Sequence, residues 1–245
     1  RDMYGIVDGE TVLEIDNSPI GKRYNETGKV YKLDSLKILS PNPRPGKMLC
    51  LALNYKTHLL GAEKPSRPEP FYKNANAIIG PGDPIILPSD AGLVVCESEL
   101  VAIIGKKASK ISESDALEHV FGYTCGNDVS AREWQSGARS DKQWWRAKSS
   151  DTFAPTGPFI VTDIEPQNVN IRGFVNGVEG QNCHSSEMIF TIAQAISFIS
   201  KYVTLDPSDM LWTGTSGTTP PINAGGDVTV EIEGVGILSN PVESE

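Results

Sequence analysis

The stretch Leu93-Val94-Val95-Cys96-Glu97-Ser98-Glu99-Leu100-Val101-Ala102-Ile103-Ile104 sets two carboxylates in an otherwise apolar run. The run reads as a buried strand, and strand residues two apart point to the same face. Glu97 and Glu99 then stand side by side, where like charge is costly unless something neutralises it. A divalent cation does so directly; the other reading is a half-exposed strand with a polar face. Asp128 follows the apolar segment Phe121-Gly122-Tyr123-Thr124-Cys125-Gly126-Asn127. An acid at a strand end, beside a Gly-Asn pair that can bend, suits a third ligand, and equally an Asx-turn or helix N-cap. Three carboxylates with no Cys or His among the ligands favour a hard cation, Mg2+ or Mn2+, with waters or substrate oxygens completing the shell. Zinc is disfavoured, because His58, His119 and His184 show no metal-like spacing. Lys148 lies in the aperiodic stretch 144–158, whose aromatics, Lys and Asp are typical of chain that lines a site. There it would stabilise a developing enolate or hold a metal-bound substrate. A lysine without such context is a solvated surface charge.

These residues need a scaffold of strands, and the composition supplies one. The 245 residues suffice for one large domain, with or without a small appendage. The 17 prolines and 23 glycines suit a turn-rich β chain better than a helical bundle. The net charge of −9 repels phosphate backbones and argues against nucleic-acid binding. No apolar run approaches a membrane span. Cys50, Cys96, Cys125 and Cys183 form no C-x-x-C pair, which fits a reducing, cytoplasmic compartment. The first residues do not read as a signal peptide, while Met3 leaves room for an upstream segment, an organellar import sequence included.

Residues 4–16 read as a hairpin turning at Asp8-Gly9. Residues 17–46 are polar and broken and read as a connector, so a small N-terminal module with its connector (1–45) precedes a main domain (46–245). In that domain strands are expected at 47–53, 85–87 and 92–105, at 120–135 as a strand running into Asp128-Val129-Ser130-Ala131-Arg132-Glu133, at two segments within 158–178 with Val175-Asn176-Gly177 as a hairpin turn, and at 227–238 with a turn at Glu233-Gly234. Residues 64–70 read as a Pro-rich loop. Helices are expected at 112–119, after an N-cap serine, and at 189–202. The sum is an α+β fold, mostly β.

Six segments in register resemble the fumarylacetoacetate hydrolase superfamily, in particular its small acylpyruvate hydrolases, oxaloacetate decarboxylases or tautomerases and isomerase-decarboxylases. They are Asn54-Tyr55-x-x-His58, Glu97-x-Glu99-Leu100, the run Gly126 to Arg132, Ala147-Lys148-x-x-Asp151-Thr152-Phe153-x-Pro155-x-Gly157-Pro158, Asn176-Gly177 with Met188-Ile189-Phe190, and a final set from Thr213-Gly214-Thr215 through Gly226-Asp227 to Asn240-Pro241-Val242. The likeness covers roughly residues 46–242. It implies the superfamily's C-terminal-domain fold, a mixed β-roll, and a homodimer. It implies Glu97, Glu99 and Asp128 as metal ligands, with Lys148 beside the metal and Thr152 close by. Arg132 and Gln135 match substrate-facing residues, and Thr215 matches a threonine that meets the substrate carboxylate. His58 matches the histidine that hydrolytic members use to activate water. Several members carry a Glu one helical turn after that histidine; here the position is Gly61, and Glu63 is the acid that would have to substitute. After Thr215, where the family often has Pro, the chain reads Ser216-Gly217-Thr218-Thr219-Pro220.

A 2-oxo acid offers a carboxylate and an adjacent keto oxygen that together chelate one divalent cation, which stabilises an enolate. The first expectation is therefore a metal-dependent enzyme that cleaves a C–C bond, by hydrolysis or decarboxylation, in a small 2-oxo or β-diketo acid. His58 and Lys148 would be its catalytic groups, with Glu63 as the substitute dyad acid. The alternative is a keto–enol tautomerase or double-bond isomerase on a similar acid, which the Gly61 departure favours. The alternative of another class is an inactive binding protein. Against it stand Glu97, Glu99, Asp128 and Lys148, which cost stability when buried and would not be spared by decay.

Overall fold

Runs of β-branched and aromatic residues broken by Gly and Pro fold here into strands, in a computed structural model that describes residues 1–59 and 61–245. The chain divides into two compact units, Arg1–Ile38 and Leu39–Glu245. The first is a three-stranded antiparallel sheet of Tyr4–Asp8, Thr11–Ile15 and Glu26–Lys32. Its first two strands form the expected hairpin. The third corrects the reading of 17–46 as plain connector: Glu26–Lys32 is exposed along nearly its whole length, so no alternation marks it. Its anchor is Tyr31, whose hydroxyl donates to the buried Glu14 carboxylate at 2.8 Å.

The second unit holds a seven-stranded sheet in the order Glu69–Lys73, Met48–Ala52, Met210–Trp212, Ser98–Ile104, Val120–Asn127, Ala154–Val161 and Ile78–Ile79. A five-stranded sheet runs Val178–His184, Asn170–Val175, Asp227–Ile232, Gly236–Ser244 and Ile85–Leu87. Ser98–Ile104 is the central strand of the larger sheet, and every residue of it is buried. That explains its unbroken apolar run: Leu100, Ala102 and Ile104 join the main core on one face, while Val101 and Ile103 are buried on the other. On the core face, the helix Ile192–Ser200 buries Ile192, Ala195, Ile196 and Ile199. The fold is α+β and mostly β, as the sequence predicts.

In the second unit three more elements differ from expectation. Residues 64–70 are not all loop, because Glu69–Lys73 forms a strand. Pro70 is compatible with it because the strand lies at the sheet edge, where a missing N–H costs no ladder bond. The helix expected at 112–119 is only a 3-10 turn, Ala116–His119, with one buried residue, Ala116. The helix expected at 189–202 starts later, at Ile192, with Thr191 as its N-cap and Gln194 completing a capping box. Among the described residues no helix is long and apolar enough to cross a membrane.

Asn54 accounts for the late helix start. Its Oδ1 accepts from Phe190 N–H at 2.9 Å, and its Nδ2 donates to the carbonyls of Phe190 at 3.1 Å and Thr213 at 2.8 Å. Its own carbonyl accepts from Ile189 N–H at 2.7 Å. This buried amide joins three segments that are remote in sequence. Asn54→Ala should cost about 2–3 kcal/mol, the loss of several side-chain bonds with their partners left buried, read as a lower urea midpoint. A cost under about 0.5 kcal/mol would show that the amide does not hold these segments together.

Candidate active site

The central ladder builds the carboxylate cluster. Ser98–Ile104 and Val120–Asn127 run antiparallel with Gly126 opposite Glu99 and Asn127 opposite Ser98. The next residue, Asp128, therefore emerges beside Glu97, and its N–H donates to the Glu97 carbonyl at 2.9 Å. Asn127 Oδ1 accepts from Glu97 N–H at 3.0 Å and fixes the same corner. Glu97 precedes the regular strand rather than lying within it, but faces the cluster as the i, i+2 spacing predicts. Gly126 is required by packing, not by a bend: a Cβ there would lie 2.5 Å from Val101 Cγ2 and 2.6 Å from the Trp212 ring.

Glu97, Glu99 and Asp128 are all buried, and one oxygen from each lies within 4.8 Å of the others. Such an all-oxygen donor set fits a hard divalent cation. The protein meets part of the charge itself. Lys148, in the helix Trp145–Ser149, donates from Nζ to Glu97 Oε2 at 2.7 Å and to Asp128 Oδ2 at 2.6 Å. Lys73, at the end of the edge strand, donates to Asp128 Oδ1 at 2.6 Å. Arg132 donates from Nη2 to Glu97 Oε1 at 2.6 Å. Among the described residues no cation pairs directly with Glu99; its Oε2 accepts one bond, from Gly214 N–H at 2.8 Å.

The titration behaviour follows this division. Burial pushes Glu99 well above the usual carboxylate range, and the Asp128 and Glu97 charges push it further. Burial also opposes ionisation of Asp128, but Lys148 and Lys73 outweigh it and hold Asp128 below its ordinary value. Burial would lower Lys148; Asp128 and Glu97 overcome that and raise it. Glu99 is thus the member of the cluster whose ionised form is least favoured.

The helix carrying Lys148 is anchored by Arg146, which pairs with Asp141 at 2.9 and 3.1 Å and lies 4.6 Å from the Trp134 ring centroid. Lys148 Nζ also sits 5.1 Å from the Phe71 ring centroid, and Phe71 shares a strand face with Lys73. Sequence reasoning missed Lys73. The one local hint was a lysine two residues after Phe71, and its partner Asp128 is 55 residues away.

The remaining predicted residues divide. Arg132 reaches the cluster and also donates to Gln135 Oε1 and, at 2.7 Å, to Thr219 Oγ1. Thr215 lies one residue after Gly214, but its hydroxyl is engaged within the fold: it accepts from Gln181 Nε2 at 2.7 Å and donates to the Ser98 carbonyl at 3.1 Å. Gln181, a second residue the sequence did not reveal, also accepts from Ser98 N–H at 2.9 Å and donates to the Ser216 carbonyl at 2.9 Å. Thr152 is turned away into another contact, accepting from Ile86 N–H at 2.8 Å. His58, in the 3-10 turn Lys56–His58, has Nδ1 2.7 Å from the Gly217 carbonyl oxygen. Glu63 is exposed, and no hydrogen bond joins it to His58 among the described residues. The His58 nitrogen that bonds in the described residues, Nδ1, meets a backbone carbonyl and not the Glu63 carboxylate.

Residues 47–243 match the family described as Fumarylacetoacetate (FAA) hydrolase C-terminal, and residues 1–41 match one described as Rv2993c-like, N-terminal. The chain belongs to the fumarylacetoacetate hydrolase family. It is 39% identical over 246 residues to "Oxaloacetate tautomerase fahd2, mitochondrial" of Xenopus laevis, covering 96% of this chain and 76% of that protein. Among solved structures it is similar to 5-carboxymethyl-2-hydroxymuconate delta-isomerase from Mycobacterium smegmatis, with a TM-score of 0.90, 38% identity and coverage of 99% of this chain and 94% of that one. It is also similar to maleylpyruvate hydrolase from Sphingobium sp. SYK-6 in complex with manganese(II) ion and pyruvate, with a TM-score of 0.82, 25% identity and coverage of 99% and 96%. The named relatives are enzymes: a tautomerase, an isomerase and a hydrolase.

The raised Glu99 has a measurable consequence. In metal-free protein, folded Glu99 keeps its proton at a pH where the unfolded chain releases it. The stability this gives is full below the ordinary glutamate range and is lost as pH rises through the raised folded value. With chelator present, the urea midpoint of the wild type should therefore fall between about pH 5 and about pH 8, and that of Glu99→Gln should fall less. Parallel curves would remove Glu99 as the uncompensated acid.

Proposed function

We propose that this chain is a divalent-cation-dependent enzyme that moves a proton within a small 2-oxo diacid of the oxaloacetate type, interconverting keto and enol forms. The observation that carries the reading is a buried carboxylate cluster together with a histidine that, among the described residues, has a backbone carbonyl and no acid as its partner. Glu97, Glu99 and Asp128 would hold a Mg2+ or Mn2+ ion, which when bound would supply Lewis-acid chemistry toward the keto oxygen of a 2-oxo acid. Lys148, fixed between Glu97 and Asp128, keeps a positive charge beside the reacting oxygen. Arg132, steadied by Gln135 and Thr219, is placed to meet a substrate carboxylate at the rim of the cluster. His58 removes a proton from the carbon next to the keto group, and the proton returns at the enol oxygen, so nothing is added or lost.

Proton transfer is favoured over C–C cleavage by hydrolysis. Several hydrolase and decarboxylase members that the sequence resembles pair this histidine with a glutamate to activate water. Here the partner is the Gly217 carbonyl. The likeness to a tautomerase and an isomerase at 38–39% identity, against 25% for the hydrolase, supports the same preference. The family resemblance supports a homodimer as the working form.

The reading is tested by adding enzyme to enol-form oxaloacetate and following enol absorbance and pyruvate release separately, with Mg2+, Mn2+ or EDTA. Metal-dependent enol loss without pyruvate is expected, and His58→Gln should slow it about 10²- to 10⁴-fold, the usual contribution of a general base. Pyruvate release keeping pace with enol loss would assign C–C cleavage instead. Enol loss unaffected by EDTA would remove the metal from the account.

A further inference from the structure

We infer that the Gly217 carbonyl is the orienting partner of His58, and that Thr57 locks it in place so that Nε2 is the free base. A carbonyl oxygen carries no proton, so the 2.7 Å contact requires Nδ1 to be the donor. A neutral imidazole with its proton on Nδ1 presents a lone pair at Nε2, and a backbone acceptor at Nδ1 is a recurrent way of fixing that tautomer. The same glycine is held from its other side, where Gly217 N–H donates to Thr57 Oγ1 at 3.1 Å. Two adjacent residues of the 3-10 turn thus grip both polar groups of one glycine. Gly217 adopts a left-handed φ of 60°, a conformation that favours glycine, and a Cβ there would meet nothing within 4 Å. The constraint at this residue is therefore its backbone path.

The loop that carries Gly217 is tied to the rest of the site along its length. Gly214 N–H bonds Glu99, Gln181 bonds Thr215 and Ser216, and Thr219 accepts from Arg132. Gly214 and Gly217 are three residues apart, so at most about 10 Å of chain separates the Glu99 contact from the His58 contact. The histidine is therefore registered against the carboxylate cluster by one short, pinned segment. This is the segment in which Ser216-Gly217-Thr218 replaces the proline-containing sequence frequent in the family. Thr57 is a positioning residue: it is exposed, touches the loop and acts on His58 through Gly217. The inference deepens the proposed function and assigns the base tautomer that proton transfer requires.

The test is nitrogen-15 NMR of the imidazoles in the full chain at a pH where they are neutral. The chain has 3 histidines, and His58→Gln assigns the signal. The wild type should show His58 with a protonated Nδ1 and a bare Nε2. Thr57→Val should yield a mixture of tautomers and lower kcat for enol-oxaloacetate about five- to tenfold with KM unchanged, as expected for one lost orienting bond. Thr57→Ser should restore both. A wild-type signal with the proton on Nε2, or a Thr57→Val spectrum identical to wild type, overturns the inference. The spectrum is read without substrate, so absence of oxaloacetate turnover in the wild type would count against the proposed function and leave the tautomer assignment to stand or fall on NMR.

Discussion

Three carboxylates with oxygens within 4.8 Å of one another in a buried site repel each other, and water is not there to screen them. Much of the second unit is arranged around that repulsion. Two fully buried lysines and a half-buried arginine are brought to the cluster from three different segments. Desolvating these groups costs several kcal/mol per ion, and the pairing offsets the cost only where geometry is good. The contacts of 2.6 and 2.7 Å at Lys148 and Lys73 meet that condition. Among the described residues Glu99 is the acid with no cation in direct contact, and its Oε2 accepts from Gly214 N–H.

The scaffold around the cluster is correspondingly rigid. A one-residue slip of the central strand would turn Glu99 toward the apolar core that Leu100, Ala102 and Ile104 join, so the register that places Asp128 beside Glu97 is fixed by the core. Parallel pairing of Met210–Trp212 with Met48–Ala52 brings two loops to the same end of the sheet: the one carrying His58 and the one carrying Thr215 and Gly217. Asn54 then ties both to the start of the helix Ile192–Ser200. The loops that carry His58, Thr215 and Gly217 thus have ladder strands as their roots, an arrangement that holds loop residues precisely.

What was legible in the sequence follows from which signals are local. Glu97 and Glu99 interrupt an apolar run at a spacing of two, and Asp128 ends another, so the cluster could be read from pattern and strand geometry alone. Lys73 could not, since a lysine at the end of an edge strand looks solvated until its partner 55 residues away is placed beside it. Gln181 was hidden for the same reason, its contacts being to Ser98, Thr215 and Ser216. The strand Glu26–Lys32 escaped because an exposed strand shows no alternation, and Glu69–Lys73 because Pro70 argues against a strand anywhere but at an edge. The resemblance carried His58, but the acid sought as its partner was looked for among side chains. In the structure His58 Nδ1 meets a backbone carbonyl, a contact no sequence pattern displays.

The most direct test of the central claim is a titration of Mn2+ into chelator-treated protein, with free ion followed by electron paramagnetic resonance. The account predicts saturable uptake of one ion per chain, weakened at least about tenfold in Glu99→Gln because a buried charged ligand is replaced by a neutral amide. Absence of saturable uptake in the wild type, or equal uptake in Glu99→Gln, would contradict the assignment of Glu97, Glu99 and Asp128 as a cation site.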